Sequence, residues 1–230
     1  MPSRGTSSKP PGIVVRRPFQ LLSEFEAIYF FLTERRPTSV DLREQWPIFD
    51  IDRTLELCAQ FGVNHGYRGA YPEPFTIDLL ITESINGELR DRAASIKTPE
   101  DAAKPEVRLR LAVEYAWCRE RGIPWTLVDT SAFSKTMLAT LRFMRSWFQN
   151  RYEPDIDGAM RFSDQFQASY TPNILLDELI RKAAKRLRLS EAVAQNTFRY
   201  CAWADHIGVS LTHSLSLDRP LVLRGKNGTT

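Results

Sequence analysis

The chain is poor in the residues that staple small secreted or metal-built domains together. Its three cysteines, Cys58, Cys118 and Cys201, are far apart and form no CxxC pair, which argues against a disulfide framework or a zinc site. Buried thiols of a reducing compartment are expected instead. His65 falls in a Gly- and Pro-rich stretch with no partner at metal-binding spacing, so it reads as a turn residue. No apolar run approaches the roughly 18 residues that a membrane span requires. The opening MPSRGTSSKPPG has no apolar core of the secretory kind, and a cytoplasmic protein with no membrane partner is expected. Charge of either sign is not in great excess. A formal charge of +3 with a pI near 8.8 permits nucleic-acid binding without demanding it.

What is present organises itself around residues 75–97, PFTIDLLITESINGELRDRAASIK read from Pro74. Two β-rich runs flank Asn86-Gly87, a strong hairpin signal. Strict alternation puts Phe75, Ile77, Leu79 and Ile81 on one face and Thr76, Asp78 and Leu80 on the other. Ser95 and Lys97 share a face on the second strand. Asp78 and Lys97 can then meet at the end of a sheet, where a carboxylate can hold a divalent cation and an ammonium can position water. A surface ion pair has the same outline, and the hairpin alone leaves both readings open.

The flanks extend the pattern. Residues 1–20 are rich in Ser, Pro, Gly, Arg and Lys and read as a flexible basic tail. Leu21, Leu22, Phe25, Ile28, Tyr29 and Leu32 recur at helical spacing, with Glu26 at the edge of their stripe. Ser23-x-x-Glu26 is also a capping box, which by itself accounts for the glutamate. Residues 39–43 look like a strand stopped by Pro47, and residues 53–61 like a helix closed by Gly62. Residues 63–74 read as a loop. A helix over 105–121, followed by Gly122, carries Glu114 among its apolar positions, where it can point inward or serve as the i,i+4 partner of Arg110. Residues 123–129 read as a strand buried on both faces, reached by a crossover that sets it parallel to the second hairpin strand. A further helix is expected over 131–149.

Residues 150–172 are rich in turn formers, and a domain boundary is placed at 150/151. Two helical runs, 173–188 and 190–205, precede short extended pieces at 209–212 and 221–224. Helices followed by a small ribbon are the order of a winged-helix module. Arg181, Lys182, Lys185 and Arg186 concentrate positive charge on the first run, as a solvated face or as a surface for DNA or a partner.

LLSEFEAIYFFL, VDLREQWPI, FTIDLLI, ASIKTPED and VEYAWCRERGIPWTLVD, taken together over roughly residues 20–150, resemble the TnsA family, endonuclease subunits of heteromeric Tns-type transposases. The resemblance implies an α/β fold: a restriction-endonuclease-like mixed-sheet core over residues 21–150, followed by a winged-helix-like domain over 151–230. It implies that Glu26, Asp78 and Lys97 are catalytic, with Glu114 matching a further family glutamate. Ser95 departs from the family, where Gln or Glu is expected, and a short hydroxyl is a weak ligand. The resulting expectation is an Mg²⁺ site (Mn²⁺ substituting) made by Glu26, Asp78 and the Ile96 carbonyl, with Ser95 and Glu114 in support. Implied partners are transposon-end DNA, a DDE transposase of the TnsB-like kind and an AAA+ regulator of the TnsC-like kind. Rival readings are a stand-alone restriction or repair nuclease and a non-catalytic assembly subunit.

Overall fold

The structure, a computed structural model, describes residues 7–225. In chain order the elements are α1 (Glu24–Glu34), β1 (Ser39–Ile48), α2 (Ile51–Phe61), β2 (Tyr67–Arg68), β3 (Tyr71–Pro72), β4 (Phe75–Ile85) and β5 (Glu88–Ile96). They continue with α3 (Pro99–Ala102), α4 (Pro105–Glu120), β6 (Trp125–Val128), α5 (Lys135–Gln149), α6 (Ile156–Ala168), α7 (Leu176–Leu187) and α8 (Glu191–Trp203). Two compact units divide between Phe133 and Ser134.

The first unit is built on a four-stranded sheet in the order β1-β4-β5-β6. The β4–β5 hairpin turns at Asn86 and Gly87, whose φ values of 55° and 84° suit the left-handed turn that this dipeptide favours. β6 pairs parallel to β5, as the crossover through α4 requires. One core cluster packs Phe75, Ile77, Leu80 and Ala93 of the sheet against Leu57 and Cys58 of α2 and Val113, Trp117 and Cys118 of α4. Each such large side chain contributes about 1.5–3 kcal/mol on leaving water. Phe75 and Ile77 therefore share their core with Leu80. The strict alternation expected along β4 changes phase across Asp78.

Several expectations are corrected here. β1 runs through Pro47 to Ile48, because β1 is an edge strand and a missing amide donor costs little there. β6 is the opposite edge, so Thr126 and Leu127 are exposed and the strand is not buried on both faces. The loop over 63–74 contains the two-stranded ribbon β2–β3. Residues 1–6 lie outside the described residues, but the remainder of the expected tail is packed. Ser8 bridges Leu21, Pro11 bridges Pro18, and Phe19 and Leu21 are buried, while the Arg17 guanidinium donates to Glu44 Oε1 at 2.8 Å.

The second unit begins earlier than residue 151. Helix α5 belongs to it, packing Met137, Leu138, Leu141 and Met144 inward and contacting α8. The turn-rich stretch hides α6, whose Ala159, Phe162 and Phe166 make a helical stripe despite the flanking Asp and Gly residues. The expected ribbon is reduced to the isolated bridge Val209–Leu223. Helix α8 buries Phe198, Cys201, Ala202 and Trp203. Among the described residues the second unit is helical, with extended pairing limited to the bridges Leu175–Pro220 and Val209–Leu223.

Candidate nuclease site

Two strands and one helix end bring the expected residues toward one place. β4 delivers Asp78, and Lys97 follows the last residue of β5. Asp78 Oδ2 accepts from Lys97 Nζ at 2.5 Å and from the Ile96 backbone N–H at 2.7 Å. The chain at Lys97 is held by its carbonyl, which accepts from Thr130 Oγ1 at 2.7 Å. The carboxylate of this pair is mostly shielded and the ammonium half-buried. Asp78 Oδ1 has no hydrogen bond among the described residues.

Glu26 sits in the first turn of α1. That helix begins at Ser23, whose hydroxyl accepts from the Glu26 N–H at 3.1 Å. The glutamate answers in kind, with Oε2 accepting from the Leu22 N–H at 3.0 Å and Oε1 from the Ser23 hydroxyl at 3.3 Å. The cap is therefore reciprocal, although the glutamate takes the N–H of Leu22 and not that of the N-cap Ser23. Arg92 of β5 ties the helix to the sheet, donating to Tyr29 Oη at 2.7 Å and to Glu83 at 2.8 Å. Burial raises the Glu26 pKa, and the charge of Asp78 raises it further. The Leu22 N–H, the Lys97 ammonium and the Ser23 hydroxyl act in the opposite sense. Cap and proximity to Asp78 and Lys97 coexist.

Ser95 and Glu114 form an interior pair within the field of Asp78 and Lys97. Ser95 is wholly buried, donates to Glu114 Oε2 at 2.6 Å and accepts from Trp125 Nε1 at 3.2 Å. Its hydroxyl is committed to protein partners. The simple expectation that Glu114 is a solvent-side partner of Arg110 is corrected, because Glu114 is 3% exposed. Its pKa is pushed up to about 7, chiefly by burial, with the Asp78 charge adding and the Ser95 hydroxyl opposing. Spacing on α4 alone could not show which way the carboxyl pointed.

The donor set suits magnesium, which takes hard oxygen ligands from one or two carboxylates and leaves positions for substrate phosphate. Among the described residues Asp78 keeps a carboxylate oxygen outside any hydrogen bond, and Glu26 and Glu114 are further acids in its field. Among the described residues no three His, Cys, Asp or Glu side chains gather as a metal-holding group. His65 is a packing residue, its ring against Tyr67 and Phe75. On α7, Arg181 pairs with Asp177, while Lys182, Lys185 and Arg186 are exposed without a carboxylate partner among the described residues.

Residues 36–130 match the sequence model of the family described as TnsA-like endonuclease N terminal. The chain is also similar to the transposon Tn7 transposition protein TnsA of Escherichia coli, 24% identical over 147 residues. That match covers 64% of this chain and 53% of the relative, so about half the relative's length is represented. The matched family span holds β1 through β6, including Asp78 and Lys97, and stops short of α1.

Proposed function

We propose, on the premise that residues 36–130 form a TnsA-like endonuclease domain, that this protein is a metal-dependent DNA endonuclease of transposition. It cuts the 5′ ends of the element, while a DDE-type transposase acts at the 3′ ends. The observation that carries the reading is the convergence of Lys97 Nζ and the Ile96 N–H on Asp78, with Glu26 in the same field.

Asp78 and Glu26 would hold Mg²⁺, joined by the Ile96 carbonyl. In an extended strand the N–H and C=O of one residue face the same neighbour, and the Ile96 N–H already faces Asp78. When bound there, Mg²⁺ supplies a water acidic enough to attack at neutral pH and charge to offset that on the leaving oxygen. Asp78 holds the Lys97 ammonium through one of its three donors, and the other two are available to orient the attacking water or a phosphate oxygen. Ser23 and Leu22 hold the Glu26 carboxylate in its cap. The exposed cations of α7 serve DNA or the AAA+ regulator.

The test is strand-specific nicking in a reconstituted excision reaction. Asp78→Ala and Lys97→Ala should lose 5′-end cleavage by at least about a thousandfold, with complex assembly and 3′-end cleavage intact. Ordinary 5′ nicking by Asp78→Ala would end the assignment. Cleavage by the purified chain with no partner would favour a stand-alone nuclease.

A further inference from the structure

Six non-glycine residues with left-handed backbone are found among the described residues, and five lie in turns or at helix ends. The sixth, Gln45, lies inside β1 with φ 45°. Long side chains rarely accept this conformation unless their surroundings impose it. Its place in the sheet is equally particular. Glu44 pairs with Leu79 and Trp46 with Ile77, so Gln45 stands across from Asp78, and the ladder registers no pair at that position. The interruption coincides with the change of phase along β4. From there the Gln45 amide reaches Glu26, with Nε2 donating to Oε2 at 3.5 Å.

We propose that Gln45 is a positioning residue: the left-handed turn in β1 directs its amide onto Glu26 and fixes that carboxylate beside Asp78. Glu26 Oε2 then has a donor on each side, the Leu22 N–H from its own helix cap and the Gln45 amide from the sheet. The cap alone fixes the carboxylate relative to α1. Only the second donor fixes it relative to the strand pair that carries Asp78. Partners of this kind, which orient a ligand without touching the metal, commonly change metal affinity by tenfold or more when removed. The inference rests on the metal-site reading above.

A purely structural bulge, placed to accommodate Pro47 or to shape the sheet edge, would need the backbone of Gln45 but not its amide. Gln45→Gly separates the two, because glycine adopts positive φ without strain while lacking the amide. Gln45→Ala also lacks the amide and keeps the strain. Mn²⁺ binding to the purified full chain is measured by titration calorimetry, and melting temperature in EDTA, for wild type, both variants and Asp78→Ala. The expected result is Mn²⁺ affinity about tenfold or more lower in both Gln45 variants, with Gln45→Gly melting above Gln45→Ala. Wild-type Mn²⁺ affinity in Gln45→Gly would overturn the inference, even where Gln45→Ala fails to fold. Unchanged affinity in Asp78→Ala, or no Mn²⁺ binding by wild type, would bring down the metal-site reading itself.

Discussion

Glu114 sits where a carboxyl group is held out of water, and that placement makes stability depend on pH. Its pKa in the folded chain, about 7, lies above its ordinary value of 4.5, so folding favours the protonated acid. The stabilising contribution is complete below the ordinary value and is lost as pH rises through about 7, on the order of 3 kcal/mol in all. Melting temperature should therefore fall between about pH 5 and pH 8, and Glu114→Gln should flatten that decline. An unchanged slope in the variant would show that another group is responsible. Ser95 belongs to the same interior pair. Because Ser95→Ala strips Glu114 and Trp125 of a partner, its expected effect is a stability loss of roughly 1–3 kcal/mol, seen in denaturant melts. 5′ cleavage below the melting range should change little.

At the level of elements, the basic helix α7 makes a separable prediction. Lys182, Lys185 and Arg186 are exposed, so Lys182→Glu, Lys185→Glu and Arg186→Glu together should leave the fold intact. If they meet DNA phosphates, affinity should drop and the slope of log K against log salt should weaken by about three. A titration with the salt slope preserved would assign this face to a protein partner or to solvent. The hairpin, the helix boundaries at Gly62 and Gly122 and the meeting of Asp78 with Lys97 were all legible in the sequence, because turn chemistry and alternation are local signals. Ser23 and Glu26 announced their cap in the same way. The phase change at Asp78 was not legible, since it depends on a distortion shared with β1. Nor was the length of β1, because Pro47 reads as a stop until the strand is known to lie at an edge. Helix α6 was concealed by Asp155, Asp157 and Gly158, which are turn formers in composition yet lie at the N-cap and in the first turn of a helix. The inward course of Glu114 required the packing of α4 to be seen.

Across the whole molecule, two compact units divide the work of folding, one around the mixed sheet and one around α8. The family match is confined to the first of them, and the relative is the longer protein. No helix among the described residues is long and apolar enough to cross a membrane. Cys58 and Cys118 lie in the first unit and Cys201 in the second, all free and buried. Burial raises all three thiols, Cys118 and Cys201 to about 12, so the reactive thiolate is scarce at neutral pH. A maleimide pulse in native buffer should therefore mark none of them quickly, and rapid labelling at neutral pH would contradict the packing described. Under rising denaturant each sulfur becomes a clock for the opening of its own neighbourhood. Peptide mapping after the pulse would time the nuclease sheet and the helical half independently, with no dye, tag or added cysteine.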